Sequence, residues 1–307
     1  MNLKIGIVGL GIMGRGMAAN FLKNGFPVYV WNRTPKVAEQ LVAQGAILLA
    51  IPKDVASRAD VIFEVTANDE SSRAVWTSPD GILAGANPMK ILISSATLSV
   101  RWIDELIALC AQKKFKFCDI PLTGGRVGAE TGALTMLCGG DPTVIKGLQP
   151  VFDAIAKKVF YFGQAGRGMR YKLILNFMQA LHIVGFGAAM KMAKAHDMDL
   201  EKVAEALVDR PGGVITQIAR NRYFKDTDPI TFSIEWIVKD LTYAKQYAGD
   251  LDIPLLDDVL EIYRTALSHG KGQKDWASVN RLEEKYLLQS LHESEGRDCR
   301  TSKRRPQ

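Results

Sequence analysis

Two stretches of the chain carry residue types at a spacing that can do chemistry. The first is Gly9-Leu10-Gly11-Ile12-Met13-Gly14, a GxGxxG run. It directly follows a short β-branched segment and opens a helix-compatible one, the context a dinucleotide pyrophosphate needs. Gly9 suits a tight turn, Gly11 lets backbone N–H groups approach a phosphate, and Gly14 lets the helix close onto the strand. A helix N-terminus adds free donors and the positive end of its dipole. A tight turn with no ligand would use glycines in the same way. The second stretch holds Lys172 and Asn176, four apart at the start of a long apolar segment. That spacing puts both on one helical face. A cation and an amide there are costly unless they are paired or functional, or unless the lysine snorkels from the helix end.

The residues after the second strand-like segment bear on the nucleotide. An acid there would bind a ribose 2′-OH. This chain has Asn32-Arg33-Thr34 instead. An arginine can clasp a 2′-phosphate through a charge-assisted fork, which points to NADP(H) rather than NAD(H). Two further glycine-rich segments follow. One is Thr123-Gly124-Gly125-Arg126-Val127-Gly128, preceded by Asp119; the other is Gly163 to Gly168, which leads into Lys172.

These residues need elements to hold them. Strand-like runs at residues 3–8, 27–31, 61–65, 91–94 and 115–119 alternate with helical stretches, among them 12–24 and 35–44. That rhythm predicts a parallel, doubly wound α/β sheet. Runs at 134–138 and 159–162 are expected as its last strands, on one edge. From 169 to 195 the pattern is helical and apolar on nearly every face, so burial on all sides is expected. Amphipathic helices are expected at 200–208, 230–250 and 255–268. The organisation expected is a Rossmann-type domain over 1–163, an all-α domain over 164–294 entered by one long helix, and a basic tail over 295–307.

With these motifs in place, the chain resembles the β-hydroxyacid dehydrogenase family, which includes 3-hydroxyisobutyrate dehydrogenase and the glyoxylate/succinic semialdehyde reductases. Gly9 to Asn20, with Met13, resembles the cofactor signature. Asp119 to Leu134 resembles the substrate signature. Gly166-x-Gly168-x-x-x-Lys172-x-x-x-Asn176 resembles the catalytic one, and Lys239-Asp240-Leu241 the cofactor-side one. The resemblance implies an NADP(H)-dependent enzyme that moves a hydride between nicotinamide and a small hydroxy or semialdehyde acid. Lys172 would be the acid/base, and Asn176 would bind substrate or position the lysine. Thr123, Gly124 and Gly125 would hold the substrate carboxylate, with Arg126 and Asp240 beside it. Gly9, Gly11, Ile12, Met13, Gly14, Asn32, Arg33, Thr34, Val65, Thr66, Thr97 and Lys239 would contact the cofactor. The chain departs from the family at three places. Thr123 replaces the usual serine, and Arg126 stands where small or neutral residues are common. The family's Asp-x-Ser-Thr is here Ser94-Ser95-Ala96-Thr97. An imine reductase of the same fold usually carries Asp or Tyr at the lysine position, and a non-catalytic dinucleotide-binding module would lack the lysine.

Composition fits an ordinary globular protein: 307 residues, 47% hydrophobic and 23% charged. The net charge of +6 owes much to Arg297, Arg300, Lys303, Arg304 and Arg305. A solvated tail explains these without a nucleic-acid partner. Four scattered cysteines and four histidines give no zinc or disulfide spacing. No metal is expected, and reduced thiols suit a cytoplasmic location. No apolar run is expected to reach the length of a membrane span. The apolar long helix suggests a homodimer or homotetramer.

Overall fold

The computed structural model describes residues 3–209, 213–223 and 229–281. The expected tail, 295–307, lies outside them. The chain forms two compact units, the first ending at Ile174 and the second beginning at Leu175.

In the first unit, β1 (Ile5–Val8) leads through the glycine turn into α1 (Ile12–Lys23), then β2 (Val28–Trp31). The stretch expected to be one helix at 35–44 is a 3-10 turn, Pro35–Ala38, followed by α2 (Glu39–Ala43). The order continues with β3 (Ile47–Leu48), α3 (Pro52–Arg58), β4 (Val61–Glu64), α4 (Asp69–Thr77), α5 (Ile82–Gly85), β5 (Ile91–Ser94), α6 (Val100–Gln112) and β6 (Lys116–Asp119). These six strands make one sheet in the order β3-β2-β1-β4-β5-β6, parallel throughout. Strands β1 and β4 are buried along their whole length, as a sheet covered on both faces requires. Two apolar clusters flank it. One is centred on Met17, Phe21, Val30 and Phe63; the other on Trp76, Trp102, Ile103 and Leu106.

The next segments are β7 (Leu122–Thr123), α7 (Gly125–Thr131), β8 (Leu134–Cys138), α8 (Pro142–Gly147), α9 (Gln149–Asp153) and β9 (Ala156–Tyr161). The last two expected strands do not extend the main sheet. They form a separate three-stranded sheet, β7-β8-β9, antiparallel at its first pair and parallel at its second. Periodicity identifies such strands but not their partners, and here one isolated bridge, Asp119 with Gly139, joins the two sheets.

The long helix α10 runs Arg167–Ala195 and continues across the junction between the units. It is not buried on all sides: Ile174, Met178 and Met192 are 49%, 42% and 70% exposed. It is also the one described helix long and apolar enough to cross a membrane by length and composition, contrary to the expectation above, and 39% of that window is buried. The second unit adds α11 (Leu200–Asp209), α12 (Gly213–Tyr223), α13 (Ile234–Ala248), α14 (Pro254–Ala266), a π turn at Leu267–Lys271 and a 3-10 turn at Trp276–Arg281. Asn280 donates to Ile183 O at 2.9 Å. It fills the place a side chain at Gly187 would need, since a Cβ there would stand 2.1 Å from Asn280 Oδ1.

Candidate active site

The three glycines of the first turn are required for different reasons. Gly9 has φ +105°, and a Cβ there would meet Val65 O at 2.5 Å. A Cβ on Gly14 would meet Gly9 O at 2.0 Å. The fold itself forbids side chains at both. Gly11 is exposed, and a Cβ there would meet nothing within 4 Å. Helix α1 starts at this residue with no side-chain cap and no acid in its first turn. Its leading N–H groups are therefore left for an anion. That open cradle fits a dinucleotide pyrophosphate, which Gly11, Ile12 and Met13 would hold.

Asn32 also has a structural part in this turn. Its Oδ1 accepts the Leu10 N–H at 2.9 Å and its Nδ2 donates to Thr34 O at 3.0 Å. Its amide ties the phosphate turn to the β2 loop. Arg33, Thr34 and Lys36 are exposed on that loop. Lys36 escaped the sequence reading, although a third polar side chain after Arg33-Thr34 was there to be noticed.

At the C-terminal edge of the sheet, Trp31, Val8, Glu64, Ser94 and Asp119 sit in register across neighbouring strands. Glu64 is fully buried. Its Oε1 accepts the Thr66 N–H at 3.0 Å and the Thr66 hydroxyl, and its Oε2 accepts the Ser94 hydroxyl at 2.9 Å. Burial pushes its carboxyl above the usual range, while the Thr66 and Ser94 bonds pull the other way. Ser94 occupies the position where the resembled pattern has Asp, and the buried carboxylate beside it belongs to Glu64 on the neighbouring strand β4. Glu64 was missed by sequence reasoning. The signal was an acid ending the otherwise apolar run Val61–Glu64. Through Thr66 it fixes the loop whose Val65 carbonyl packs on Gly9. Thr97 follows β5 on a half-buried loop, and the next residue, Leu98, donates its N–H to Met169 Sδ at 3.3 Å.

The substrate-type loop begins on β7, where Thr123 pairs with Thr135. Gly124 and Gly125 follow with φ +124° and +60°, values that L side chains rarely adopt. Arg126 stands in the first turn of α7. Gly16 and Asn20 of α1 hold that helix. A Cβ on Gly16 would meet the Ala129 carbonyl at 2.6 Å, and Asn20 Nδ2 donates to Ala129 O at 2.8 Å and Glu130 O at 3.2 Å.

Asp119, fully buried at the end of β6, holds the start of α10. Its carboxylate accepts the Gly166 N–H and the Met169 N–H, both at 2.6 Å. Close approach is enforced around it: a Cβ on Gly168 would meet Leu137 O at 2.3 Å, and one on Gly139 would meet Asp119 Oδ1 at 2.4 Å. Burial raises the Asp119 carboxyl to about 6, against the Met169 and Gly166 N–H donors and the Arg170 charge. Lys172 lies three residues beyond Met169 and is 9% exposed.

In the second unit, Asn176 Nδ2 donates to Asp240 Oδ2 at 2.6 Å, and Lys239 Nζ lies 2.8 Å from Asp240 Oδ1. Asp240 is 1% exposed. The structure therefore gathers Asn176, Lys239 and Asp240 into one polar cluster. In the first unit it gathers the glycine turn, the Asn32–Thr34 loop and Val65.

A parallel sheet with a phosphate turn at its switch point and a polar constellation on a long helix defines a class, the nicotinamide-nucleotide oxidoreductases. Comparison with known proteins narrows it. Residues 4–163 match the model of the NAD binding domain of 6-phosphogluconate dehydrogenase. Residues 166–282 match that of the NAD-binding region of NADP-dependent 3-hydroxyisobutyrate dehydrogenase. A probable mitochondrial 3-hydroxyisobutyrate dehydrogenase-like protein of Arabidopsis thaliana is 31% identical, over 88% of this chain and 82% of its own. The 2-(hydroxymethyl)glutarate dehydrogenase of Eubacterium barkeri is 26% identical, over 91% and 94%. The structure of a Mycobacterium tuberculosis 3-hydroxyisobutyrate dehydrogenase with L-serine superposes with a TM-score of 0.80 at 25% identity, covering 92% of this chain and 99% of that one. The chain belongs to the β-hydroxyacid dehydrogenase family of NAD(P)-dependent oxidoreductases.

Proposed function

We propose that the protein is an NADP(H)-dependent reductase of small semialdehyde or β-oxo acids, running in reverse as a β-hydroxyacid dehydrogenase, with Lys172 as its acid/base. The observation that carries this is the placement of Lys172. It is a buried lysine on the first turns of α10, whose start is clamped by Asp119 to the edge of the nucleotide-binding sheet.

Bound nicotinamide would supply or accept the hydride at the substrate carbon. The chain supplies the rest. Thr123 and the backbone of Gly124 and Gly125 anchor the substrate carboxylate, so that hydride and proton transfer share one geometry. In reduction, Lys172 Nζ gives a proton to the carbonyl oxygen as its C–O π bond becomes an alcohol C–O single bond. The neutral amine then recovers a proton from solvent. In oxidation the lysine takes that proton away. Asn176, itself bonded to Asp240, orients substrate or lysine one helical turn on. Lys239 and Thr97 serve the cofactor.

The NADP preference rests on Arg33, with the Thr34 hydroxyl and the Lys36 ammonium nearby on the same exposed loop. A 2′-phosphate gains charge-assisted bonds there that a 2′-OH does not. No acid stands at the end of β2 to repel it.

Replacing Lys172 with Met tests the central step. Turnover of a panel of semialdehyde acids with NADPH is expected to fall by about 10³-fold or more, within the range of general acid–base catalysis combined with lost positioning. NADPH binding, read by fluorescence titration, is expected to stay within about threefold. Near-normal turnover would sink the assignment. Turnover of cyclic imines in place of aldehyde acids would favour an imine reductase instead.

A further inference from the structure

Among the described residues of the first unit, Arg126 is a charged side chain that its surroundings leave incompletely served. Its side chain is 22% exposed, yet its Nε is fully buried and finds no hydrogen-bond partner among the described residues. Its ion pair, to Glu130, is long at 3.4 Å, and Glu130 is 56% exposed. Other arginines of the first unit are better served. Arg73 reaches Glu105 at 2.6 Å, and Arg170 spans both Asp104 oxygens at 3.1 and 2.9 Å. A guanidinium is permanently charged, so a buried N–H without an acceptor costs free energy that an anion would recover. Its sequence position is equally pointed. It follows Thr123-Gly124-Gly125 directly, and Asn20 and Gly16 hold its helix against α1.

We propose that Arg126 is a specificity residue that binds a second anionic group, so that the preferred substrates are dianionic: a β-hydroxy or semialdehyde acid with a further carboxylate or phosphonate. This rests on the reading of Thr123 to Gly125 as the cradle of the first carboxylate. A guanidinium matches the planar fork of a carboxylate and also the tetrahedral face of a phosphonate. The reaction is unchanged. The added group takes no part in hydride or proton transfer and contributes binding and orientation only.

The two acids 3-hydroxyisobutyrate and 2-(hydroxymethyl)glutarate make a matched pair. They share the reacting CH2OH and the adjacent carboxylate. The second carries a carboxyethyl arm where the first has a methyl. The quantity to measure is the ratio of kcat/KM for the diacid to that for the monoacid with NADP+. In the wild type it is expected to exceed about 10, the return on one charge-assisted bond. Arg126→Gln is expected to lower that ratio by about 10-fold or more, chiefly through KM of the diacid. Arg126→Lys is expected to keep part of it. Glu130→Gln is expected to preserve the ratio.

A wild-type ratio near one would overturn the proposal. So would equal losses on both acids in Arg126→Gln, or a Glu130→Gln variant that reproduces the arginine's loss, since the arginine would then serve the ion pair. Turnover of the monoacid with no preference for the diacid defeats this inference alone. No turnover of either acid defeats the reading of the function and this inference with it. A phosphonate analogue of the diacid, used as a competitive inhibitor, separates the two anion types: tighter inhibition than by glutarate assigns the site to phosphonates.

Discussion

At the scale of single residues, the carboxyl groups under the site carry its most testable physics. Asp119 binds two backbone N–H groups at the root of the helix that bears Lys172, yet burial holds its carboxyl near 6 rather than its ordinary 3.8. A raised carboxyl binds its proton more tightly in the folded state than in the unfolded one. Its contribution is therefore fully present below about pH 4 and is lost as pH climbs through about 6. Asp119→Asn has no such titration. The advantage of wild type over this variant in urea unfolding should shrink by up to about 3 kcal/mol between pH 3.5 and pH 7. A pH-independent difference would contradict the raised value. Glu64 teaches a related lesson. Nothing local to Val61–Glu64 says that its neighbour across the sheet is Ser94; only the register of β4 on β5 reveals it. The glycine turn, by contrast, was readable because its motif lies within six residues of sequence, directly after a strand.

At the scale of elements, α1 and α7 behave as one piece. Gly16 permits the contact and Asn20 bonds it, donating to Gly16 O within α1 and to Ala129 O and Glu130 O across it. The helix that opens on the cofactor cradle is thereby fixed to the helix that follows the substrate loop. Asn20→Ala removes the donor and leaves buried carbonyls facing a gap. A loss of about 2 kcal/mol in denaturant unfolding is expected, together with a rise in KM for both NADPH and the acid. A rise confined to one ligand would argue that the two helices move independently. Asn20 falls in the resembled cofactor signature, but its partners lie 109 and 110 residues away, beyond the reach of periodicity. The same distance problem hid the second sheet. Alternation marks β8 and β9 as strands, and only pairing shows that they join β7 instead of β6.

At the scale of the whole molecule, α10 raises the question of assembly. Met178, Leu181, Gly185, Ala188 and Met192 recur at spacings of three and four along it, and all are exposed or half-buried. Such a seam suits helix-on-helix packing, with small residues at its centre allowing close approach. We propose that a second copy of the chain covers it, giving a homodimer or homotetramer. Light scattering at micromolar concentration should give at least twice the chain mass of 33.8 kDa. Met178→Lys combined with Met192→Lys should shift it toward monomer. A wild-type monomer would remove the proposal. The sequence made this helix conspicuous by its lack of a polar face, and it led to the expectation of burial on every side. Composition can say that apolar surface must be covered. It cannot say whether the cover comes from the same chain.

The open space at Gly11 separates two kinds of selection. Changes at Gly9 and Gly14 collide with backbone, so such alleles would be lost from the cell as misfolded, degraded protein. A small side chain at Gly11 collides with nothing in the chain. An allele changed there would leave a normal quantity of folded subunits with a side chain standing in the open cradle at the start of α1. In the oligomer proposed above, those silent copies would persist and compete for places with wild-type subunits, so the motif glycine least needed by the fold becomes the one most damaging to the population of working enzyme.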